Sequence, residues 1–129
     1  MEDEIKALIV DDERDVCFLL SNVLKNRNIG TNCVNSIADA KSALLEKNFS
    51  IVFLDNRLPD GLGLNFVDEI RRLRPGIKII MITAHDTRND SEKAYLGGVD
   101  FFIGKPFNRE MIYYALERFI KSESVNVGK

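Results

Sequence analysis

Short apolar runs alternate with amphipathic segments along almost the whole chain. The runs that predict β-strands are residues 5–10, 31–34, 51–54, 77–83 and 101–103. The first, third and fourth runs are nearly continuous in apolar residues, which is typical of strands covered on both faces in a parallel sheet. Strict alternation of strand and helix therefore predicts an α/β protein with a single doubly wound, five-stranded parallel sheet and five helices.

The segments between these runs carry apolar residues at helical spacing. The first helix is predicted from one face formed by Val16, Leu19, Leu20, Val23 and Leu24. The second is predicted from Ala40, Ala43 and Leu44, with Ala38 and Leu45 fitting the same face less well. A third helix contains Phe66 and ends before Pro75, and a last helix opens near Asn108. Residues 91–96 form a shorter and weaker fourth pattern.

Length and charge limit the classes of protein to which the chain can belong. Its 129 residues suit one domain, which we assign to residues 1–121 with a flexible tail at 122–129. The net charge of -2 and the absence of a Lys/Arg run argue against direct nucleic-acid binding. The apolar runs are too short to span a membrane, so we expect a cytoplasmic protein with Cys17 and Cys33 as buried, reduced thiols.

Polar side chains follow four of the predicted strands at the point where each strand ends. These residues are Asp11 and Asp12 after the first strand, Asp55 after the third, Thr83 after the fourth and Lys105 after the fifth. Because the carboxyl ends of parallel strands meet at one edge of the sheet, we expect the five side chains to line a single crevice.

This set of side chains is suited to phosphoryl transfer assisted by a metal. Three neighbouring carboxylates raise one another's pKa unless a cation compensates them, and oxygen ligands without Cys or paired His favour Mg²⁺ or Mn²⁺. Asp55, on the central strand, is the candidate nucleophile, while Lys105 neutralises phosphoryl charge and Thr83 hydrogen-bonds a phosphoryl oxygen. Taken singly, each residue has a plainer interpretation as a helix cap, a strand end or a surface charge.

Four segments together resemble the signature segments of bacterial response-regulator receiver domains. They are VDDE at 10–13, LDNRLPDG at 54–61, ITA at 82–84 and FFIGKPF at 101–107, in matching order and spacing. The resemblance implies a flavodoxin-like, chemotaxis-regulator-like fold with strand order 2-1-3-4-5. It also implies a phosphoacceptor domain of a two-component system that catalyses only its own phosphorylation and slow dephosphorylation and is otherwise not an enzyme.

The resemblance also implies roles for individual residues. Asp55 corresponds to the phosphoacceptor, and Asp12 and Asp55 correspond to direct Mg²⁺ (or Mn²⁺) ligands. Asp11 would reach the metal through water, and the backbone carbonyl of Arg57 would complete the protein ligands. Thr83 corresponds to the switch hydroxyl.

Two further positions belong to the implied switch. Lys105 corresponds to the phosphate-binding lysine before a cis peptide bond to Pro106, and Phe102 corresponds to the aromatic residue that moves with Thr83. Their movement would change the surface of the fourth helix, fifth strand and fifth helix. The implied partners are a sensor histidine kinase or phosphotransfer protein and a downstream protein or output domain, with no membrane partner; a weak homodimer stays open.

Two other functions compete with this interpretation. A phosphorylation-independent interaction module with the same fold would be recognised by the loss of a site residue, and none is lost. An aspartyl-nucleophile phosphatase would need an acid two residues beyond Asp55, where Arg57 stands. His85 is either a polar loop residue or a participant in dephosphorylation.

Overall fold

The computed structural model describes residues 5–84 and 87–121. Five parallel strands form one sheet in the order β2-β1-β3-β4-β5. The strands are β1 Ile5–Val10, β2 Ile29–Val34, β3 Ile51–Leu54, β4 Lys78–Thr83 and β5 Phe101–Gly104. The doubly wound sheet expected from the strand-helix alternation is therefore confirmed, as is the flavodoxin-like strand order that the resemblance to receiver domains implies. His85 and the tail at 122–129 lie outside the described residues.

Within the described residues, five α-helices flank the sheet. They are α1 Arg14–Lys25, α2 Ile37–Glu46, α3 Val67–Leu73, α4 Arg88–Leu96 and α5 Arg109–Leu116. A 3₁₀ turn at Gly63–Phe66 leads into α3, and a π-helical turn at Glu117–Lys121 follows α5. Within the described ranges, no helix is both long and apolar enough to cross a membrane.

The sheet separates two apolar layers, and β1 contributes to both. Leu8 and Val10 pack into the layer on one face, whereas Ile9 packs into the layer on the other face with Phe53 and Leu20. Each of these side chains is essentially inaccessible to solvent. Burying a side chain of this size contributes about 1.5 to 3 kcal/mol, so the sheet is held firmly from both sides. The polar residues at the strand ends therefore project from a rigid support.

The buried face of α1 is narrower than its apolar pattern predicts. Leu20, Val23 and Leu24 are buried, but Leu19 is 47% exposed. Leu19 precedes Leu20 by one residue, which rotates its side chain by about 100° around the helix axis. In α2, Leu45 is 68% exposed for the same reason, next to the buried Leu44. The sequence prediction was wrong for these two leucines.

The fourth helix begins earlier than its apolar residues indicate. The Thr87 hydroxyl accepts a hydrogen bond from the Asp90 N–H, and the Asp90 carboxylate accepts one from the Thr87 N–H. This reciprocal cap starts α4 at Arg88 rather than at residue 91. Ala94 is the only residue of α4 that is buried, so hydrophobic periodicity carried little information there.

The segment after β3 forms a tight hairpin that is anchored to α2. Arg57–Leu58 pairs antiparallel with Gly61–Leu62, and Gly61 has a φ of 151° that favours glycine. The Asp60 carboxylate accepts hydrogen bonds from the backbone N–H groups of Ile37 (2.9 Å) and Ala38 (3.0 Å). These bonds hold the pKa of Asp60 below its ordinary value. The hairpin is thus tied to the start of α2.

The two cysteines do not have the expected environment. Cys33 is exposed, Cys17 is half-buried, and the structure pairs their sulfur atoms as a disulfide between α1 and β2. The prediction of buried thiols is wrong, because the side chain of Cys33 lies on the solvent-exposed side of β2, which is the edge strand next to α1. The structure also joins the two sulfur atoms, where the sequence predicts reduced thiols.

Candidate functional site

Asp11 and Asp55 are held side by side by the backbone of the sheet. The parallel ladder between β1 and β3 continues one residue past β3, because the Asp55 N–H donates to the Val10 carbonyl at 2.9 Å. Similarly, the Asp11 N–H donates to the Val34 carbonyl of β2 at 3.0 Å. The two aspartates are only 3% and 6% exposed. Two buried carboxylates therefore face one crevice.

Lys105 brings a positive charge to these carboxylates. Its Nζ lies 3.0 Å from Asp11 Oδ2 and 3.5 Å from Asp55 Oδ2, and its side chain is only 13% exposed. The Lys105 N–H donates to the Thr83 carbonyl at 2.8 Å, and a cis peptide bond joins Lys105 to Pro106. The contact between β4 and the residues after β5 thus aims the lysine at the acidic crevice.

A third carboxylate shares the same ammonium group. Glu13 Oε1 lies 3.1 Å from Lys105 Nζ, and the Glu13 N–H donates to Asp11 Oδ1 at 2.9 Å. Sequence reasoning assigned no role to Glu13, although it is the last residue of the VDDE segment. Its contact joins positions 92 residues apart, which follow β1 and β5, two strands that are not neighbours in the sheet, so the strand order does not reveal it.

The electrostatics of the crevice favour an additional cation. Burial raises the pKa of Asp11, and the nearby Asp55 charge raises it further, against the hydrogen bond from Glu13 and the Lys105 ammonium. Burial likewise raises the pKa of Asp55, and Lys105 opposes that shift. For Lys105, burial alone would lower the pKa, but its bonds to Asp11 and Glu13 outweigh burial and raise it. A single lysine does not fully compensate these carboxylates.

The carboxylates form a donor set for a hard divalent cation. Among the described residues, Asp11, Asp12 and Asp55 offer carboxylate oxygens that all lie within 4.8 Å of one another. Asp12 is exposed at the mouth of the crevice, while the other two are buried. Oxygen donors without sulfur or imidazole suit Mg²⁺ or Mn²⁺, so the donor set fits the metal that the sequence predicted.

The hairpin gives the backbone after Asp55 a fixed path. Asn56 accepts two hydrogen bonds, from the Gly63 N–H to its carbonyl (2.7 Å) and from the Leu64 N–H to its side chain (2.9 Å). A Cβ atom on Gly63 would overlap the Asp55 carbonyl oxygen, so glycine is required there. Arg57 begins the hairpin, and the role of its carbonyl as a metal ligand stays a prediction.

Thr83 and Phe102 lie on the neighbouring strands β4 and β5. Thr83 is 2% exposed and pairs in register with Gly104, which precedes Lys105. Phe102 is half-buried against the apolar layer, and its N–H donates to the Tyr95 hydroxyl of α4 at 3.0 Å. Sequence reasoning missed Tyr95, because the polar pattern of α4 gives no sign that this residue reaches β5.

Curated relatives match the chain over most of its length. The family model described as the response regulator receiver domain matches residues 7–117. The response regulator protein PilR of Pseudomonas aeruginosa is 35% identical over 115 residues, which cover 86% of this chain and 26% of PilR. A putative NtrX-like response regulator of Rickettsia bellii is 32% identical, covering 88% of this chain and 24% of that protein. The chain thus spans about a quarter of the length of these two relatives.

Solved structures show the same fold. A response regulator receiver domain protein described as CheY-like, from Methanospirillum hungatei, matches with a TM-score of 0.86 and 22% identity, covering 96% of this chain and 99% of that one. The BeF3-activated receiver domain of DrrB, a Thermotoga maritima protein, matches with a TM-score of 0.84 and 26% identity, covering 92% and 99%. The sheet order and the helices described above are therefore those of the solved receiver structures.

Proposed function

Because the chain belongs to the response regulator receiver domain family, we propose that Asp55 accepts a phosphoryl group from a histidine kinase or phosphotransfer protein. The observation that carries this proposal is the position of the Asp55 carboxylate. It is buried, it lies 3.5 Å from the Lys105 ammonium, and it shares a donor set for a divalent cation with Asp11 and Asp12. A carboxylate in such surroundings can act as a nucleophile toward phosphorus.

Four residues would hold Mg²⁺, or Mn²⁺, in this site. We assign Asp12 and Asp55 as direct ligands, Asp11 as a ligand through water, and the backbone carbonyl of Arg57 as the remaining protein ligand. When bound, the cation supplies positive charge that neutralises the oxygens of the transferring phosphoryl group. The same positive charge would offset the four carboxylates, Asp11, Asp12, Glu13 and Asp55, that lie near the one ammonium group of Lys105.

Asp55, Lys105 and Thr83 have different roles in phosphoryl transfer. An Asp55 carboxylate oxygen forms the new P–O bond while the P–N bond to the donor imidazole breaks, and the imidazole keeps the electron pair. Lys105 then pairs with a phosphoryl oxygen, and Thr83 donates a hydrogen bond to another. Turnover is limited to the domain's own phosphorylation and slow dephosphorylation, since Arg57 stands where an external phosphatase would need a general acid.

Phosphorylation would be transmitted through the β4–β5 side of the sheet. Movement of Thr83 toward the phosphoryl group would vacate space that Phe102 then enters, and the shift would change the surface of α4, β5 and α5. Tyr95 couples this movement to α4 through its bond to the Phe102 N–H. We propose a downstream protein or output domain as the partner of this surface in the cytoplasm, with residues 1–121 forming the receiver domain and 122–129 a flexible tail.

The test is phosphorylation by acetyl phosphate, with and without Mg²⁺, followed by intact mass measurement. We expect the wild type to gain one phosphoryl group only when Mg²⁺ is present. Asp55→Asn should gain none, whereas Asp39→Asn, which changes an exposed aspartate in α2, should behave like the wild type. No adduct on the wild type would favour an interaction module that works without phosphorylation, and an adduct on Asp55→Asn would assign the acceptor to another residue.

A further inference from the structure

Cys17 and Cys33 join two neighbouring elements at the edge of the sheet. Cys17 lies in the first half of α1 and Cys33 lies in β2, and their Cα atoms are 6.1 Å apart. This separation falls within the range of about 4.4 to 6.8 Å that a disulfide requires. Because α1 packs directly on β2, the two backbones meet the requirement without a change in either element.

Solvent can reach the pair. Cys33 is exposed and Cys17 is half-buried, and both line a surface cavity of about 510 Å³. Asp11 and Asp12 line the same cavity. Cys17 Sγ also lies 3.7 Å from the Asp11 carbonyl oxygen, which a reduced thiol can use as a hydrogen-bond acceptor. The Cys17 thiol therefore has an acceptor when it is reduced, and a small molecule can approach the pair.

We propose that Cys17 and Cys33 form a reversible redox-modification site that clips α1 to β2. The oxidant is a small-molecule disulfide such as oxidised glutathione. One cysteine thiolate attacks a sulfur of this molecule, forming a mixed disulfide and releasing one thiol. The second cysteine thiolate then attacks the protein sulfur of the mixed disulfide and releases the second thiol. The protein loses two protons and two electrons, and the small disulfide is reduced to two thiols.

The short distance between Cys17 and Cys33 favours the disulfide between them over a lasting mixed disulfide with glutathione. The second sulfur is already adjacent when the first reacts, so ring closure needs no search by the chain. The disulfide closes a loop of 16 positions and so lowers the conformational entropy of the unfolded chain. The oxidised form should therefore be the more stable one. In a reducing compartment the pair would be open at rest and would close on oxidative exposure. This inference does not depend on phosphoryl transfer.

The test uses the wild type and Cys33→Ser in buffers with different ratios of oxidised to reduced glutathione, followed by alkylation and intact mass measurement. We expect the reduced wild type to take up two alkyl groups. The oxidised wild type should take up none, carry no glutathione, and stay monomeric. Oxidised Cys33→Ser should carry one glutathione, because its Cys17 has no partner. The wild type should melt roughly 10 °C higher when oxidised, and the variant should show no such gain.

Three results would overturn the proposal. The first is a wild type that still takes up two alkyl groups in excess oxidised glutathione. The second is lasting glutathione adducts or disulfide-linked dimers of the wild type, because both form only when Cys17 and Cys33 do not bond to each other. The third is a disulfide that resists reduced glutathione at a cytosolic ratio, which would make the clip permanent rather than reversible. Since Cys33 is exposed, its replacement by serine leaves the packing of the core unchanged.

Discussion

Lys105 brings one positive charge into contact with three carboxylates of the crevice. Its ammonium lies within 3.5 Å of Asp11, Glu13 and Asp55, and it is largely removed from solvent. Removing one partner of a buried ion pair leaves the others without compensation, which costs far more than breaking a pair at the surface. The stability of the fold should therefore be unusually sensitive to this one side chain.

We expect Lys105→Met to lower the free energy of unfolding by about 2 kcal/mol or more near neutral pH. Methionine keeps the aliphatic bulk of lysine, so the loss reports the charge. The raised pKa values of Asp11 and Asp55 mean that their protonated forms fit the fold better than their ionised forms. Their contribution to stability is present below the ordinary aspartate pKa and is lost as pH rises through the folded pKa. Without the Lys105 charge, ionising Asp11 and Asp55 destabilises the fold more strongly. Protonation of both groups at low pH removes this penalty, so the variant's free energy of unfolding should approach that of the wild type as pH falls.

Urea unfolding at about pH 7.5 and about pH 4.5 measures this difference. Lys41→Met is the matched control, because Lys41 pairs with Glu69 at 3.3 Å but both side chains are well exposed. Its effect should stay within about 0.5 kcal/mol at either pH. An equal loss of stability in both variants, or a Lys105→Met defect that does not change with pH, would contradict the account of a buried charge.

The residues of the crevice were predictable because each directly follows a strand. Asp11, Asp55 and Lys105 could be placed together from the order of strands alone, since parallel strands end at one edge. Glu13 and Tyr95 could not be placed in this way. Their contacts depend on the length and direction of a side chain on a helix or its cap, which hydrophobic periodicity does not report.

At the scale of elements, Asp60 links the hairpin after β3 to the beginning of α2. Its carboxylate accepts the N–H groups of Ile37 and Ala38, which have no partner within the helix. Ser36 caps the same helix by accepting from the Asp39 N–H. The start of α2 therefore receives acceptors from its own cap and from a segment 22 to 23 residues further along the chain.

We expect Asp60→Ala to destabilise the protein near neutral pH and to have little effect in strong acid. The lowered pKa of Asp60 means that its ionised form fits the fold better. Its stabilising contribution is present above the ordinary aspartate pKa near 3.8 and is lost as pH falls through the lower folded value. Thermal unfolding at about pH 7 and about pH 3 should show this convergence.

Hydrogen exchange provides a local measurement of the same contact. The amide protons of Ile37 and Ala38 should exchange faster in Asp60→Ala, because they lose their acceptor. Asp39→Ala is the control, since Asp39 lies in the same first turn but its carboxylate has no hydrogen bond among those described for residues 5–84 and 87–121. Unchanged exchange at both amides in Asp60→Ala would contradict the cap.

The sequence predicted element boundaries well where buried apolar residues set the boundary. It predicted them poorly where a polar helix cap sets the boundary. The bounds of β1 and β3 match the prediction and those of β4 differ by one residue, because burial on both faces leaves a continuous apolar run. The partly exposed edge strand β2 begins two residues earlier than predicted. The beginning of α4 was missed by three residues, since the Thr87 and Asp90 cap precedes any buried side chain. Leu19 and Leu45 show the opposite error, because an apolar residue need not face the core.

At the scale of the whole molecule, the ionised carboxylates of the crevice lower the stability of the folded state, and a bound cation would restore it. Two layers of buried aliphatic side chains hold the sheet, and this support allows carboxylates with raised pKa values to stay close together at its edge. A ligand that binds only the folded state stabilises that state in proportion to the logarithm of its concentration. Metal binding should therefore be measurable as stability, without any phosphoryl transfer.

We expect Mg²⁺ to raise the free energy of unfolding by about 2.7 kcal/mol when its concentration is 100 times its dissociation constant. Thermal unfolding in a Mg²⁺ series, with ionic strength held constant by NaCl, measures this gain, and a chelator should reverse it. Asp12→Ala should lose most of the response while folding normally, because Asp12 is exposed. Asp15→Ala, which removes another exposed aspartate at the start of α1, should keep the response. If Asp12→Ala kept it too, Asp12 would not be a metal ligand, and the three-carboxylate donor set would have to be abandoned.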